Sequence, residues 1–137
     1  MEKGKLIAPY TTLGGAFQHA AANGNRGDFQ LPQSWEAAKS KLNLETPLNF
    51  VHTSDIIGGN SGSPTVDRKG EVVGIVFDGN IESLSWDFAY DDRQGRAISV
   101  DSRAILESLR RIYHADALAD ELVNVHRTKI EHPHSSN

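Results

Sequence analysis

The chain has 137 residues, of which 38% are hydrophobic, and a formal net charge of −4. These values fit one soluble globular domain or part of a larger one, and no basic patch indicates a nucleic-acid partner. The sequence contains no cysteine, which excludes disulfides, thiol nucleophiles and cysteine–zinc sites. The cellular compartment stays open, because many exported proteins also lack cysteine.

No stretch approaches the roughly 18 apolar residues that a membrane-spanning helix needs. The apolar run near the amino terminus is too short for an export signal. We therefore expect no membrane partner, and the export signal of a longer protein would lie upstream of this chain.

The first third of the chain predicts two helices. Residues 14–22 are rich in alanine and form the first candidate, followed by the turn-rich stretch "NGNRGD". Pro32 suits the first turn of a second helix. Beyond it, Trp35, Ala38 and Leu42 recur at helical spacing.

The middle of the chain predicts a β-structure. Its short segments rich in β-branched or aromatic residues span 48–53, 63–67, 71–77 and 96–100. Residues 67–70, "DRKG", separate two of these strands and predict a hairpin turn in which Gly70 supplies a positive φ.

The last third predicts a helix that Asp101 or Ser102 can cap. Its apolar face comprises Ile105, Leu106, Leu109, Ile112 and Tyr113. A shorter helix follows through Leu118 and Leu122. We predict that residues 1–124 form the folded part and that residues 125–137 form a mobile polar tail.

The stretch "IIGGNSGSP" (56–64) has three interpretations. Glycine, asparagine and serine are also what an ordinary surface turn selects. A phosphate-binding loop would need Gly-Lys-Ser/Thr at the start of a helix, whereas a proline and a strand follow here. A serine-peptidase nucleophile loop would present the Ser61 hydroxyl and use the N–H groups of Gly59 and Ser61 as an oxyanion hole.

The longer segment "NFVHTSDIIGGNSGSPTVDRKGEVVGIVFDGNIESL" resembles the nucleophile region of the bacterial dipeptidyl peptidases of types 7 and 11. These are chymotrypsin-like serine peptidases. The resemblance extends from "APYTTLGGAF" to "ALADEL" and is absent only from the tail. It implies an enzyme of two β-barrels with an inserted helical domain, which removes dipeptides from the free amino end of peptides.

By this resemblance, residues 1–124 are only the carboxy-terminal part of the catalytic domain of such a dipeptidyl peptidase. The implied fold is mostly β with flanking helices (α+β): one barrel half of a chymotrypsin-like double barrel, closed by a carboxy-terminal helix. The implied partners are peptides with a free amino terminus and the rest of the catalytic domain, that is, the amino-terminal barrel and the helical domain. The family's full-length enzymes are periplasmic or secreted.

The resemblance also assigns roles to individual residues. Ser61 is the nucleophile, and Asp78 helps to hold the α-ammonium group of the substrate. Gly79 lies at the primary specificity pocket, where glycine goes with apolar side chains and arginine with acidic ones. A turn aspartate at a strand end and a turn glycine are the structural alternatives for Asp78 and Gly79.

The resemblance assigns no general base to this chain. The family carries its catalytic histidine and aspartate in the amino-terminal barrel, and no segment of this chain resembles that barrel. His52 is nine residues upstream of Ser61 and is the alternative base, although a neighbouring strand normally lies on the wrong side of the cleft. The histidines that we interpret as surface residues are His19, His114, His126, His132 and His134. The "EHPH" stretch of the tail makes a weak metal site, so we expect no metal and no cofactor.

Two functions follow from these patterns. The first is a serine-type dipeptidyl-peptidase segment that is inert alone, because the base is absent. The second is a non-catalytic, truncated peptide-binding or assembly module that pairs peptides with its open sheet edge. A fragment without a function of its own is also consistent with the sequence, and a missing barrel partner predicts self-association of the chain.

Overall fold

The computed structural model describes residues 8–124. Its strands and α-helices are β1 (Tyr10–Thr12), α1 (Leu13–Ala22), α2 (Gln33–Ala38), β2 (Pro47–His52), β3 (Pro64–Val66), β4 (Val72–Gly79), β5 (Ala97–Asp101), α3 (Ser102–Arg111) and α4 (Asp116–Val123). Its 3-10 helices are Gly27–Phe29, Lys39–Lys41 and Ile81–Asp87. No helix among these residues is long and apolar enough to cross a membrane.

The strands form one antiparallel sheet in the order β1-β2-β5-β4-β3. The last strand of the sequence, β5, therefore lies in the middle of the sheet. Its side chains alternate, with Ala97, Ser99 and Asp101 buried and with Ile98 and Val100 half-buried. This period of two is what a strand between two unequally covered faces requires.

A β-bulge interrupts β4 near its end. The pairing register with β5 shifts between Val76 and Asp78, which leaves Phe77 as the extra residue. A bulge bends its strand and redirects the residues that follow. Here those residues are Asp78 and Gly79, which still pair with β5, so the bulge sets the direction of the last two residues of β4.

The helices cover a hydrophobic core at one side of the sheet. Its fully or nearly buried members are Leu13, Phe17, Ala38, Leu42 and Ile112. The preceding strands also cap the helices: Thr12 Oγ1 accepts from the N–H of Gly15 at 3.0 Å, and Asp101 Oδ1 accepts from the N–H of Arg103 at 2.9 Å. The side chains that start α1 and α3 thus belong to the sheet, which fixes helix and sheet to each other.

The comparison with the sequence confirms the coarse fold, a mostly antiparallel sheet with several helices. All four predicted strands and both carboxy-terminal helices are present, and Asp101 is the cap of α3. Gly70 has the positive φ expected of the hairpin turn, at 80°. The second predicted helix is shorter than its apolar spacing indicated, because α2 ends at Ala38 and gives way to a 3-10 turn.

Three elements were not predicted, namely β1 and the 3-10 helices Gly27–Phe29 and Ile81–Asp87. The predicted tail, residues 125–137, lies outside the described residues and so do three of the histidines, His126, His132 and His134.

Candidate active site

The loop between β2 and β3 carries Ser61. The flanking glycines have positive φ angles, 104° at Gly59 and 91° at Gly62, which side chains other than glycine rarely adopt. Ser61 itself is exposed. The backbone conformation on either side of Ser61 therefore favours glycine at positions 59 and 62.

Asn60 holds this loop in shape. Its backbone N–H donates to the carbonyl of Ile57 at 3.1 Å, and its Oδ1 accepts from the N–H of Ile57 at 2.8 Å. The loop is joined to β4 by two further bonds: the N–H of Gly62 donates to Val76 O at 2.8 Å, and the N–H of Val76 donates to Ser63 O at 2.9 Å. The turn before Ser61 is thus closed twice by one asparagine, a role that the sequence analysis did not assign.

The N–H groups of Gly59 and Ser61 donate to no residue in the described part of the chain. Exposed, unpaired backbone donors on a hydrogen-bonded loop are the groups that can stabilise a developing negative charge.

A cleft of about 300 Å³ opens beside this loop. Its lining includes Ser61, Asp78 and Gly79, so the structure brings together three of the four residues singled out from the sequence. Gly59 lies on the loop but not on the lining. The lining residues that sequence reasoning missed include Ile56, Ile57, Ser83, Leu84 and Asp87.

Asp78 is exposed at the end of β4, and its Oδ1 accepts from the N–H of Gly79 at 2.8 Å. This bond orients the carboxylate and leaves Oδ2 without a hydrogen bond to any described residue. The arrangement suits a carboxylate that pairs with a cation from outside the chain.

The helix Ile81–Asp87 forms the far wall of the cleft. It begins because the Asn80 side chain caps it, accepting from the N–H of Ser83 at 3.2 Å. The same Oδ1 accepts from the N–H of Arg96 at 2.7 Å, which ties the helix to the segment before β5. An asparagine immediately before an apolar residue was the available sequence signal for this helix.

His52 is paired with the sheet and not with the loop. Its Nε2 lies 2.9 Å from Ser99 Oγ, which in turn lies 2.7 Å from Thr65 Oγ1. Its Nδ1 is buried and has no hydrogen-bond partner among the described residues. No hydrogen bond joins His52 to Ser61 there, so the structure offers no support for His52 as the base.

Burial lowers the pKa of His52 below its ordinary value of 6.5. The neighbours that the ring contacts are Ser99 and the ring of Phe50, whose centroid is 5.6 Å away. Neither carries a charge that would stabilise the imidazolium. Protonation would also place a donor on Nδ1, which has no described acceptor.

We expect the chain to lose stability as the pH falls below about 6.5. In that range the unfolded chain binds a proton at His52 more readily than the folded chain does. The contribution of His52 to the free energy of unfolding is therefore fully present above about pH 6.5 and declines below it. Urea unfolding at about pH 7.5 and about pH 5 measures the difference. His52→Gln should show a shallower decline, whereas the exposed His114→Asn, which suits that residue's positive φ of 52°, should retain it. Equal losses of stability between the two pH values in both variants would contradict the assignment of this pH dependence to His52.

No group of three or more histidine, cysteine, aspartate or glutamate side chains is arranged to hold a metal ion within residues 8–124. The "EHPH" stretch considered above lies outside the described residues.

Comparison with known proteins decides the family. The model of the family described as Peptidase S46 matches residues 1–124. The chain belongs to the peptidase S46 family. The match does not extend to residues 125–137.

Among the curated S46 relatives, the dipeptidyl-peptidase 7 of Phocaeicola vulgatus is 43% identical over 83 residues, which are 61% of this chain and 12% of that protein. The Asp/Glu-specific dipeptidyl-peptidase of Shewanella putrefaciens is 43% identical over 76 residues, which are 56% of this chain and 10% of that protein. This chain therefore spans about a tenth of the length of the curated relatives that it matches.

Among solved structures, the fold is similar to DPP11 of Porphyromonas endodontalis in complex with the dipeptide Arg-Asp. The TM-score is 0.76 at 25% sequence identity, and the similarity covers 87% of this chain and 18% of that one. The described sheet and helices are thus similar in fold to one part of that DPP11 structure.

Proposed function

We propose that this chain is the nucleophile-bearing part of a serine-type dipeptidyl peptidase. The observation that carries the proposal is the shared cleft: Ser61, held between two glycines of positive φ, opens onto the same cavity as Asp78 and Gly79. Cleavage at a fixed distance from a free amino terminus requires three features in one cleft: a nucleophile, a carboxylate for the ammonium group and a pocket for a side chain.

In this mechanism Ser61 Oγ attacks the carbonyl carbon of the second residue of the peptide. The proton of the hydroxyl goes to a histidine base, and the carbonyl oxygen becomes an oxyanion that the N–H groups of Gly59 and Ser61 stabilise. The acyl-enzyme forms as the peptide bond breaks, and the base returns the proton to the leaving amine. Water then releases the dipeptide.

Asp78 and Gly79 determine which peptides enter. Asp78 Oδ2 pairs with the α-ammonium group, which places the second peptide bond at Ser61 and explains removal of two residues. Gly79 lies on the wall that faces the second side chain. Because glycine adds neither bulk nor charge, the pocket accepts apolar side chains, whose burial contributes about 1.5–3 kcal/mol.

The rest of the enzyme supplies what the described residues lack. In our proposal the sheet is one half of a chymotrypsin-like double barrel that the carboxy-terminal helices close, and the amino-terminal barrel brings the histidine and aspartate. The complete enzyme acts in the periplasm or outside the cell. Exposed apolar residues near the cleft, such as Ile81 at 77% and Phe88 at 94% exposed, would be covered by those parts or by self-association.

A non-catalytic peptide-binding module is the second candidate. The observation in its favour is β3, a three-residue edge strand on which Val66 is 56% exposed. An edge strand of this kind can pair with an extended peptide.

The 137-residue chain alone is expected to hydrolyse dipeptide substrates no faster than the buffer background, because no described histidine is hydrogen-bonded to Ser61. The test compares it with a chimera in which residues 1–124 replace the matching segment of the Phocaeicola vulgatus dipeptidyl-peptidase 7. The chimera should release dipeptides. A folded but inactive chimera would favour the binding module, and Ser61-dependent turnover by the chain alone would show that it contains its own base.

A further inference from the structure

Gly79 has no room for a side chain, and one residue is responsible. A Cβ placed on Gly79 would collide with Ser83 Oγ, and it would lie 3.3 Å from Ser83 Cβ and 3.4 Å from Arg96 O. Gly79 is not among the glycines with positive φ, so its backbone would accept an L-residue. The obstacle is therefore the Ser83 side chain and not the conformation of the strand end.

Ser83 is held in place and cannot move aside at no cost. It is 9% exposed, and its Oγ donates to the carbonyl of Asn80 at 2.7 Å. Asn80 is itself fixed, because its Nδ2 donates to Gln94 O at 2.8 Å and its Oδ1 accepts from the N–H of Arg96. Rotating the hydroxyl away from position 79 would break a buried hydrogen bond.

We propose that Ser83 is a specificity-determining residue that acts as a pair with position 79. The hydroxyl of Ser83 occupies the space in which a side chain at 79 would begin, and both residues line the cleft next to Ser61. The inference rests on the proposed function, which assigns this cleft to the second residue of the peptide. An arginine at position 79, the group that would select acidic peptides, fits without this clash only when residue 83 lacks the hydroxyl group.

The steric part of the inference is tested in the full 137-residue chain by thermal unfolding. Gly79→Ala should lower the melting temperature by roughly 4 °C or more, as overpacking does. The same change should cost little when Ser83→Gly is already present. Gly58→Ala is the matched control, because Gly58 lines the same cleft, lacks a positive φ and has no atom within 4 Å of its added Cβ. Equal losses from Gly79→Ala in both backgrounds would overturn the inference.

The specificity part is tested in the chimera by the ratio of kcat/KM for a Glu over a Leu dipeptide substrate. The double variant Gly79→Arg/Ser83→Gly should have a higher Glu/Leu ratio than the wild-type chimera. Its increase should exceed the product of the increases in the two single variants by about tenfold or more, which is the sign of two coupled neighbouring sites. Independent effects of the two substitutions would overturn the inference. An inactive parent chimera would count against the proposed function instead, and the melting temperatures of the full chain would still decide whether positions 79 and 83 are coupled.

Discussion

Ser61→Ala is expected to reduce dipeptide release by the chimera by at least about 10⁴-fold, the scale of losing a nucleophile that acts together with its base. Activity that survives would come from the oxyanion donors and from binding alone. The matched control is Ser63→Ala, because Ser63 lies two residues further along the same loop and its hydroxyl makes no hydrogen bond to a described residue.

A covalent label gives a second measurement of the same prediction. A dipeptide phosphonate with a free amino terminus should modify the chimera once, and peptide mass spectrometry should place the label on the segment that contains Ser61. Full activity in Ser61→Ala, or labelling of another residue in an active enzyme, would remove Ser61 from the mechanism.

The turn geometry of the loop around Ser61 was predictable because backbone geometry dictates its composition. Gly59 and Gly62 have positive φ angles, a conformation that glycine adopts far more readily than other residues. The β-rich segments were predictable for a similar local reason, since short runs of β-branched and aromatic residues favour strands.

Asn80 is a local signal for the start of the helix at the far wall of the cleft, but the position of that helix in the fold was not predictable from local patterns. Ser83 and Leu84 reach it from a 3-10 helix, whose position depends on the bonds from Asn80 to Gln94 and Arg96. These hydrogen bonds join segments more than a dozen residues apart, and no periodicity in either segment predicts that they form. β1 was missed because three residues are too few to show an alternation.

His52 shows why nearness in sequence was a poor guide to a base. It precedes Ser61 by nine residues, but β2 pairs with β5 and not with β3. The serine that it meets is therefore Ser99, from a strand 47 positions along the chain. Strand order is a property of the whole sheet, and only the structure revealed it.

Asp78→Asn is expected to lower the kcat/KM of the chimera roughly 30-fold or more, because in the proposed complete enzyme the bound peptide buries this charge pair, and loss of one charge of a buried, hydrogen-bonded pair costs about 2–5 kcal/mol. The substitution is a clean one. Asparagine keeps an oxygen that can accept from the N–H of Gly79, as Asp78 Oδ1 does at 2.8 Å, so the strand end should keep its shape while the negative charge is lost.

The cleft offers a matched control in Asp87, a second carboxylate on its lining. If Asp78 holds the α-ammonium group, Asp87→Asn should change kcat/KM by less than about fivefold, as an exposed charge at a distance does. Substrates with an acetylated amino terminus make the assignment specific, since they lack the cation that Asp78 binds. The wild-type chimera should strongly prefer the free amino terminus, and Asp78→Asn should lose most of that preference while Asp87→Asn retains it. Loss of this preference in Asp87→Asn but not in Asp78→Asn would assign the ammonium site to Asp87. An unchanged preference in both variants would mean that the groups which bind the α-ammonium lie outside this chain.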